Sequence, residues 1–111
     1  MQYFIFDRDR KGTCYHEFYK GKWDGETHWK TDSLCLDDDI LSENIGFAEA
    51  IMEVVPAYAP YGVTEISSKQ WREIGRAVLK KDNRSIALYQ EADQWLKTVF
   101  REYNCFTILG I

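Results

Sequence analysis

Thr13-Cys-Tyr-His-Glu-Phe-Tyr-Lys-Gly-Lys-Trp23, then Asp24-Gly25, then Glu26-Thr-His-Trp-Lys-Thr-Asp-Ser-Leu-Cys-Leu36 form the continuous stretch that decides the fold. Its first segment alternates loosely and is rich in Tyr and Phe, which suit a pleated, half-buried surface. Asp24-Gly25 is a hairpin signal, because a type I′ turn needs positive φ at both central positions. The stretch predicts two long antiparallel strands joined by a tight turn. With Trp23 opposite Glu26, Cys14 falls opposite Cys35, Phe18 opposite Thr31 and Lys20 opposite Trp29. Tyr15, Glu17 and Tyr19 then share the other face with Leu34, Asp32 and Lys30. Side chains alternate with period two, so a slip of one residue would exchange these faces.

On the N-terminal side, residues 2–7 with Tyr3-Phe4-Ile5-Phe6 read as a first strand, and Asp9-Arg10-Lys11-Gly12 as a polar turn. On the other side, Asp37-Asp38-Asp39 precedes an apolar pattern from Ile40 to Val55. Leu41, Ile45, Ala48, Met52 and Val55 recur there as one stripe of a helix. The aspartates are placed to cap that helix and oppose its dipole. Pro56 ends it, and Pro56-Ala-Tyr-Ala-Pro60-Tyr-Gly62 is a loop. Val63-Thr-Glu-Ile66 is a short strand. Ser67 and Gln70 form a capping box that opens a helix with Trp71, Ile74, Gly75 and Val78 inside. After a break at Asp82-Asn83, Ser85 can start a third helix, burying Ile86, Tyr89, Ala92, Leu96, Val99, Phe100 and Tyr103. Cys105-Phe-Thr-Ile-Leu109 is almost wholly apolar and reads as a buried, central strand. The order βββ-α-β-α-α-β predicts an α+β domain spanning 1–111: an N-terminal antiparallel meander, about three helices on the sheet and a buried C-terminal strand.

Charge is distributed unevenly. Between Lys30 and Lys69 stand eight carboxylates and no Lys or Arg: Asp32, Asp37, Asp38, Asp39, Glu43, Glu49, Glu53 and Glu65. Residues 1–30 hold six basic and five acidic side chains, and residues 69–111 hold eight and five, so the formal charge of −4 comes from the central block. Such a block is either a solvated face or a surface that meets something positive. It argues against nucleic acid as a direct ligand, which needs concentrated Lys and Arg, and favours a basic protein partner. No apolar run approaches the roughly 20 residues that span a bilayer, so no membrane partner is expected. Met1-Gln-Tyr-Phe-Ile-Phe6 meets Asp7 and Arg8 too early for a signal peptide. With three cysteines, an odd count, the expectation is a cytoplasmic protein with reduced thiols at Cys14, Cys35 and Cys105.

Residues able to do chemistry are present without a motif. Cys14-x-His16, His28 and Cys35 are zinc-ligand types, but His28 and Cys35 are seven apart and point to opposite faces of one strand. Asp37-Asp38-Asp39 could hold Mg²⁺, yet the acids are adjacent, no base is near, and the glycine and closing glutamate of an EF-hand are missing. No nucleophile sits in a Gly-flanked elbow beside a base. The expectation is a binding protein without cofactor or metal. The rival readings are a small metal-dependent hydrolase or nuclease using Asp37–Asp39 with His16 or His28, and an acidic interaction adaptor. Candidate partner-binding residues are Asp37, Asp38, Asp39, Glu43, Glu49, Glu53, Tyr58 and Tyr61. The two tyrosines lie on a Pro-bounded loop inside the acidic window; they either anchor a partner or fold back over the core.

Gly62-Val-Thr-Glu-Ile-Ser-Ser-Lys-Gln-Trp71, the helical segment with Trp95 and Phe100, and the terminal Phe106-Thr-Ile-Leu-Gly-Ile111 resemble bacterial immunity proteins of contact-dependent growth inhibition and related polymorphic toxin systems. The resemblance covers residues 61–111 and rests on apolar, structural positions. It implies a small cytoplasmic protein that binds a cognate toxin domain, frequently a nuclease, and blocks it before self-intoxication. Family members differ in their toxin-binding surfaces, so no binding residue carries across.

Overall fold

The computed structural model describes residues 1–111. Strand β1 (Phe4–Phe6) leads through a single 3-10 turn, Asp7–Asp9, to β2 (Tyr15–Lys20) and β3 (Leu34–Asp37). Helices α1 (Asp38–Glu43) and α2 (Ile45–Val54), strand β4 (Val63–Ser67), helices α3 (Ser68–Val78) and α4 (Asn83–Val99), and strand β5 (Cys105–Leu109) complete the chain. The strands form one antiparallel sheet of order β1-β3-β2-β5-β4. The predicted α+β class and element order hold, with one expected helix divided in two. The leading strands do not form a meander, because β1 lies beside β3 rather than β2.

The tight hairpin is also corrected. β2 stops at Lys20 and β3 starts at Leu34, so residues 21–33 make an excursion between them. The observed register pairs Tyr15 with Asp37, His16 with Leu36, Glu17 with Cys35 and Phe18 with Leu34. This is three residues from the predicted one, an odd shift that changes which side chains share a face. Burial explains the outcome. Phe18, Leu34 and Leu36 now join Phe4, Phe106 and Ile108 in one apolar cluster with the helices, whereas the predicted register set Phe18 against Thr31. Asp24 satisfies its turn preference locally. Its carboxylate accepts from the Thr27 hydroxyl at 2.6 Å and from the amides of Thr27 and Glu26 at 2.8 and 2.9 Å. Those bonds, led by the Thr27 hydroxyl, hold its carboxyl down at about 2.

The excursion folds over the sheet face opposite the helices, and Glu17 holds it there. Glu17 is 1% exposed and accepts from the amides of Trp29 and Lys30 at 2.7 and 3.0 Å. Trp29 has φ +60°, a left-handed conformation that a bulky side chain rarely adopts. Around it, the Arg10 guanidinium sits 3.9 Å over the Trp29 ring and the Lys30 ammonium 4.9 Å over Tyr19. Thr107 donates its hydroxyl hydrogen to the Gly21 carbonyl at 2.8 Å. Gly21 has φ +73°, and a Cβ there would lie 2.6 Å from the Tyr103 ring.

On the helical face, α3 starts as predicted. The Ser67 hydroxyl accepts from Gln70 N at 3.1 Å while the Gln70 side chain accepts from Ser67 N at 2.9 Å. Trp71, Ile74 and Val78 are buried beneath it. α4 begins at Asn83 rather than Ser85, because Asp82 caps it through Ser85 N at 2.9 Å. Tyr103 falls past the end of α4 and is exposed. From the middle of α4, Glu91 accepts the amides of Gln2, Tyr3 and Phe4 at 2.7–2.9 Å and ties down the start of β1.

The three thiols occupy different surroundings. Cys14 is exposed, Cys105 half-buried and Cys35 fully buried on the excursion side of the sheet. Burial, reinforced by the charge of Glu17, pushes the Cys35 thiol up to about 12. A thiolate-directed reagent at pH 8 should label Cys14 first and reach Cys35 only on unfolding. Equal labelling rates for Cys14 and Cys35 in the folded protein would contradict the register.

Candidate functional surface on the first two helices

The predicted single helix breaks at Asn44. This buried residue has φ −127° and ψ 57°, and its side-chain amide donates to the Ile40 carbonyl at 2.8 Å. The break turns α2 so that Phe47, Ala48, Ala50 and Ile51 face the core. Two members of the predicted inner stripe are consequently outside: Ile45 is 62% exposed and Met52 38%.

The aspartate cluster separates into three roles. Asp37 caps α1 by accepting from Asp39 N at 2.8 Å. Asp38 turns inward, its Oδ1 2.8 Å from Nε2 of the buried His16. Asp39 is exposed and makes no ion pair. Tyr58 is 5% exposed in the core, where burial and then the charge of Asp38 push its phenol up to about 12. Tyr58 is thus corrected from a candidate anchor to a core residue; the Pro-bounded loop folds it inward. Tyr61 remains 75% exposed, beside the exposed Val63 at the start of the edge strand β4.

Glu43, Glu49 and Glu53 are all exposed. Glu53 meets Lys81 at 2.6 Å and, through that contact, holds the Lys81 ammonium above the ordinary lysine value. Glu43 and Glu49 have no such partner. Ile45, Glu49, Met52 and Glu53 stand at i, i+4, i+7 and i+8, which places them on one outward face of α2. That face combines two exposed apolar side chains with carboxylates, and α1 adds Asp39 and Glu43. Sequence reasoning found the acids but placed Ile45 and Met52 in the core. The signal it passed over was Asn44, a poor residue for a helix interior.

Residues with catalytic or ligating potential are dispersed. Cys35 pairs with Glu17 on one sheet face while His16 pairs with Leu36 on the other. His28 lies in the excursion against Trp23, ring centroids 5.2 Å apart. No three His, Cys, Asp or Glu side chains converge as a metal set. His16 and Asp38 do meet, but His16 is 1% exposed and Nδ1 is without a partner. The pair links β2 to α1, with the imidazole enclosed. No helix is long and apolar enough to cross a membrane. No family model, curated protein or solved structure matches the chain.

Proposed function

We propose that this is an immunity-type binding protein that neutralises a cognate secreted toxin domain, a basic nuclease, by covering its substrate-binding surface. The outward face of α1 and α2 makes the contact. What carries the reading is the exposure of Ile45 and Met52 among Asp39, Glu43, Glu49 and Glu53. Apolar side chains within a carboxylate field suit the two stages of capture: charge accelerates encounter, and buried anchors slow dissociation. The carboxylates stand in for the phosphates of the toxin's nucleic-acid substrate. The resemblance of residues 61–111 to immunity proteins supports the same assignment, and the site of action is then the cytoplasm. Against the hydrolase rival stand the sealed position of His16 and the divergent roles of Asp37, Asp38 and Asp39. An adaptor would use the same face without inhibiting its partner.

The test is a search beside this gene for a large secreted protein with a variable C-terminal domain, followed by co-expression with that domain; absence of such a gene would count against the reading. The chain should co-purify with that domain and restore growth. Ile45→Ala with Met52→Ala should weaken the complex by roughly tenfold or more through faster dissociation, as for interface anchors. Failure to bind the domain would overturn the reading. Binding without growth rescue would favour the adaptor.

A further inference from the structure

A groove lined by residues of α3 and α4 has a volume of about 720 Å³. That falls within the roughly 300–1,000 Å³ range of small-molecule sites. Its lining includes Tyr89, stacked on Trp71 at 4.3 Å between centroids with 19° between planes. Gly75 makes this stacking sterically accessible: a Cβ there would meet the Tyr89 hydroxyl at 2.5 Å. Leu79, 67% exposed, and the half-buried Ile86 supply apolar wall.

The polar lining is cationic in a chain whose formal charge is −4. Arg72, Arg76 and Lys97 line the groove, with Asp93 the sole acid. Asp93 is already engaged: it accepts from the Trp71 indole at 3.0 Å and stands 3.7 Å from Lys97. Arg72 and Arg76 make no ion pair at all. They are four residues apart on α3, so they share a face and repel one another. Two unpaired guanidiniums beside an aromatic-lined apolar groove match an oxyanion carried on an apolar body.

We propose that the groove between α3 and α4 binds a small amphipathic anion, its apolar body against Tyr89, Leu79 and Ile86 and its carboxylate or phosphate held by Arg72 and Arg76. This site is separate from the α1–α2 surface and does not depend on the toxin reading.

Fluorescence titration with 8-anilinonaphthalene-1-sulfonate tests it, with the uncharged N-phenyl-1-naphthylamine as comparison. The sulfonate probe should bind one per chain. The exposed double variant Arg72→Gln, Arg76→Gln should weaken it by roughly tenfold to a hundredfold, as for lost charge-assisted contacts, and leave the neutral probe unchanged. Leu79→Glu, also exposed, should weaken the anion by placing a like charge at the wall. Displacement by dodecanoate or by dodecyl phosphate would distinguish a carboxylate ligand from a phosphate one. Sulfonate binding that is equal in wild type and both variants, or that exceeds one probe per chain without saturating, would overturn the proposal. Loss of the neutral probe in the arginine variant would also overturn it, by showing a packing effect rather than anion recognition.

Discussion

Trp71→Ala is expected to lower the unfolding free energy by about 3–5 kcal/mol, the range for truncating a buried aromatic. Trp71 is 1% exposed and is the largest side chain of the core. It joins three elements: Phe47 of α2 at 6.5 Å, Phe106 of β5 at 5.5 Å and Tyr89 of α4 at 4.3 Å between ring centroids. Its indole N–H also donates to Asp93 at 3.0 Å, so truncation leaves both a cavity and a carboxylate without its donor. In a domain of this size the loss corresponds to a fall in Tm of roughly 15–30 °C, enough to unfold a marginal protein. Urea denaturation followed by circular dichroism reads the effect directly. A midpoint equal to wild type would mean that Trp71 does not join the sheet to its helices.

The second large effect belongs to Glu17→Ala, expected to cost about 2–4 kcal/mol because two charge-assisted hydrogen bonds leave a buried site. The consequence is local before it is global. Without the acceptor, the left-handed backbone of Trp29 loses the two hydrogen bonds that hold it, and residues 21–33 should lift from the sheet. Amide hydrogen exchange at Trp29 and Lys30 should then accelerate at least tenfold more than exchange within β5. Glu17→Gln keeps one carbonyl acceptor and should lie between wild type and alanine. Unchanged exchange at Trp29 in the alanine variant would show that the excursion is held by Arg10 and Thr107 instead.

These two residues mark what was legible in the sequence. The environment of Trp71 could be read because its signals are local: a capping box at Ser67–Gln70 fixes where α3 begins, and Ile74 and Val78 repeat on one face. The apolar run 105–109 likewise announced an interior strand, and it lies between β2 and β4. The β2–β3 register was misread because Asp24-Gly25 does make a turn, but a short one inside a longer excursion. Pairing was decided instead by the long-range demand that Phe18, Leu34 and Leu36 share the helical face. The buried Glu17 did leave a trace: it alternates with Tyr15 and Tyr19, and an acid on an aromatic strand face requires donors from elsewhere.

The acidic surface was half legible. A window without Lys or Arg identified the region, but adjacency in sequence gave no hint that Asp37, Asp38 and Asp39 would split between capping, His16 and solvent. Nor could hydrophobic periodicity distinguish the two stripes of α2, since the helix is apolar on nearly every side. The turn introduced at Asn44 sends Phe47 and Ile51 inward and Ile45 and Met52 outward. That one break moves two members of the expected core stripe, Ile45 and Met52, into the apolar part of the proposed docking face.

The most direct measurement of that proposed docking face is the association rate with the proposed partner, a basic nuclease toxin domain, by stopped flow at low and high salt. Asp39→Asn, Glu43→Gln and Glu49→Gln together remove three exposed, unpaired charges and leave the His16–Asp38 and Lys81–Glu53 contacts intact. This variant should unfold as wild type does, associate roughly tenfold more slowly at low salt and lose most of the salt dependence. An association rate and salt slope identical to wild type would contradict the assignment of α1 and α2 as the toxin-facing surface.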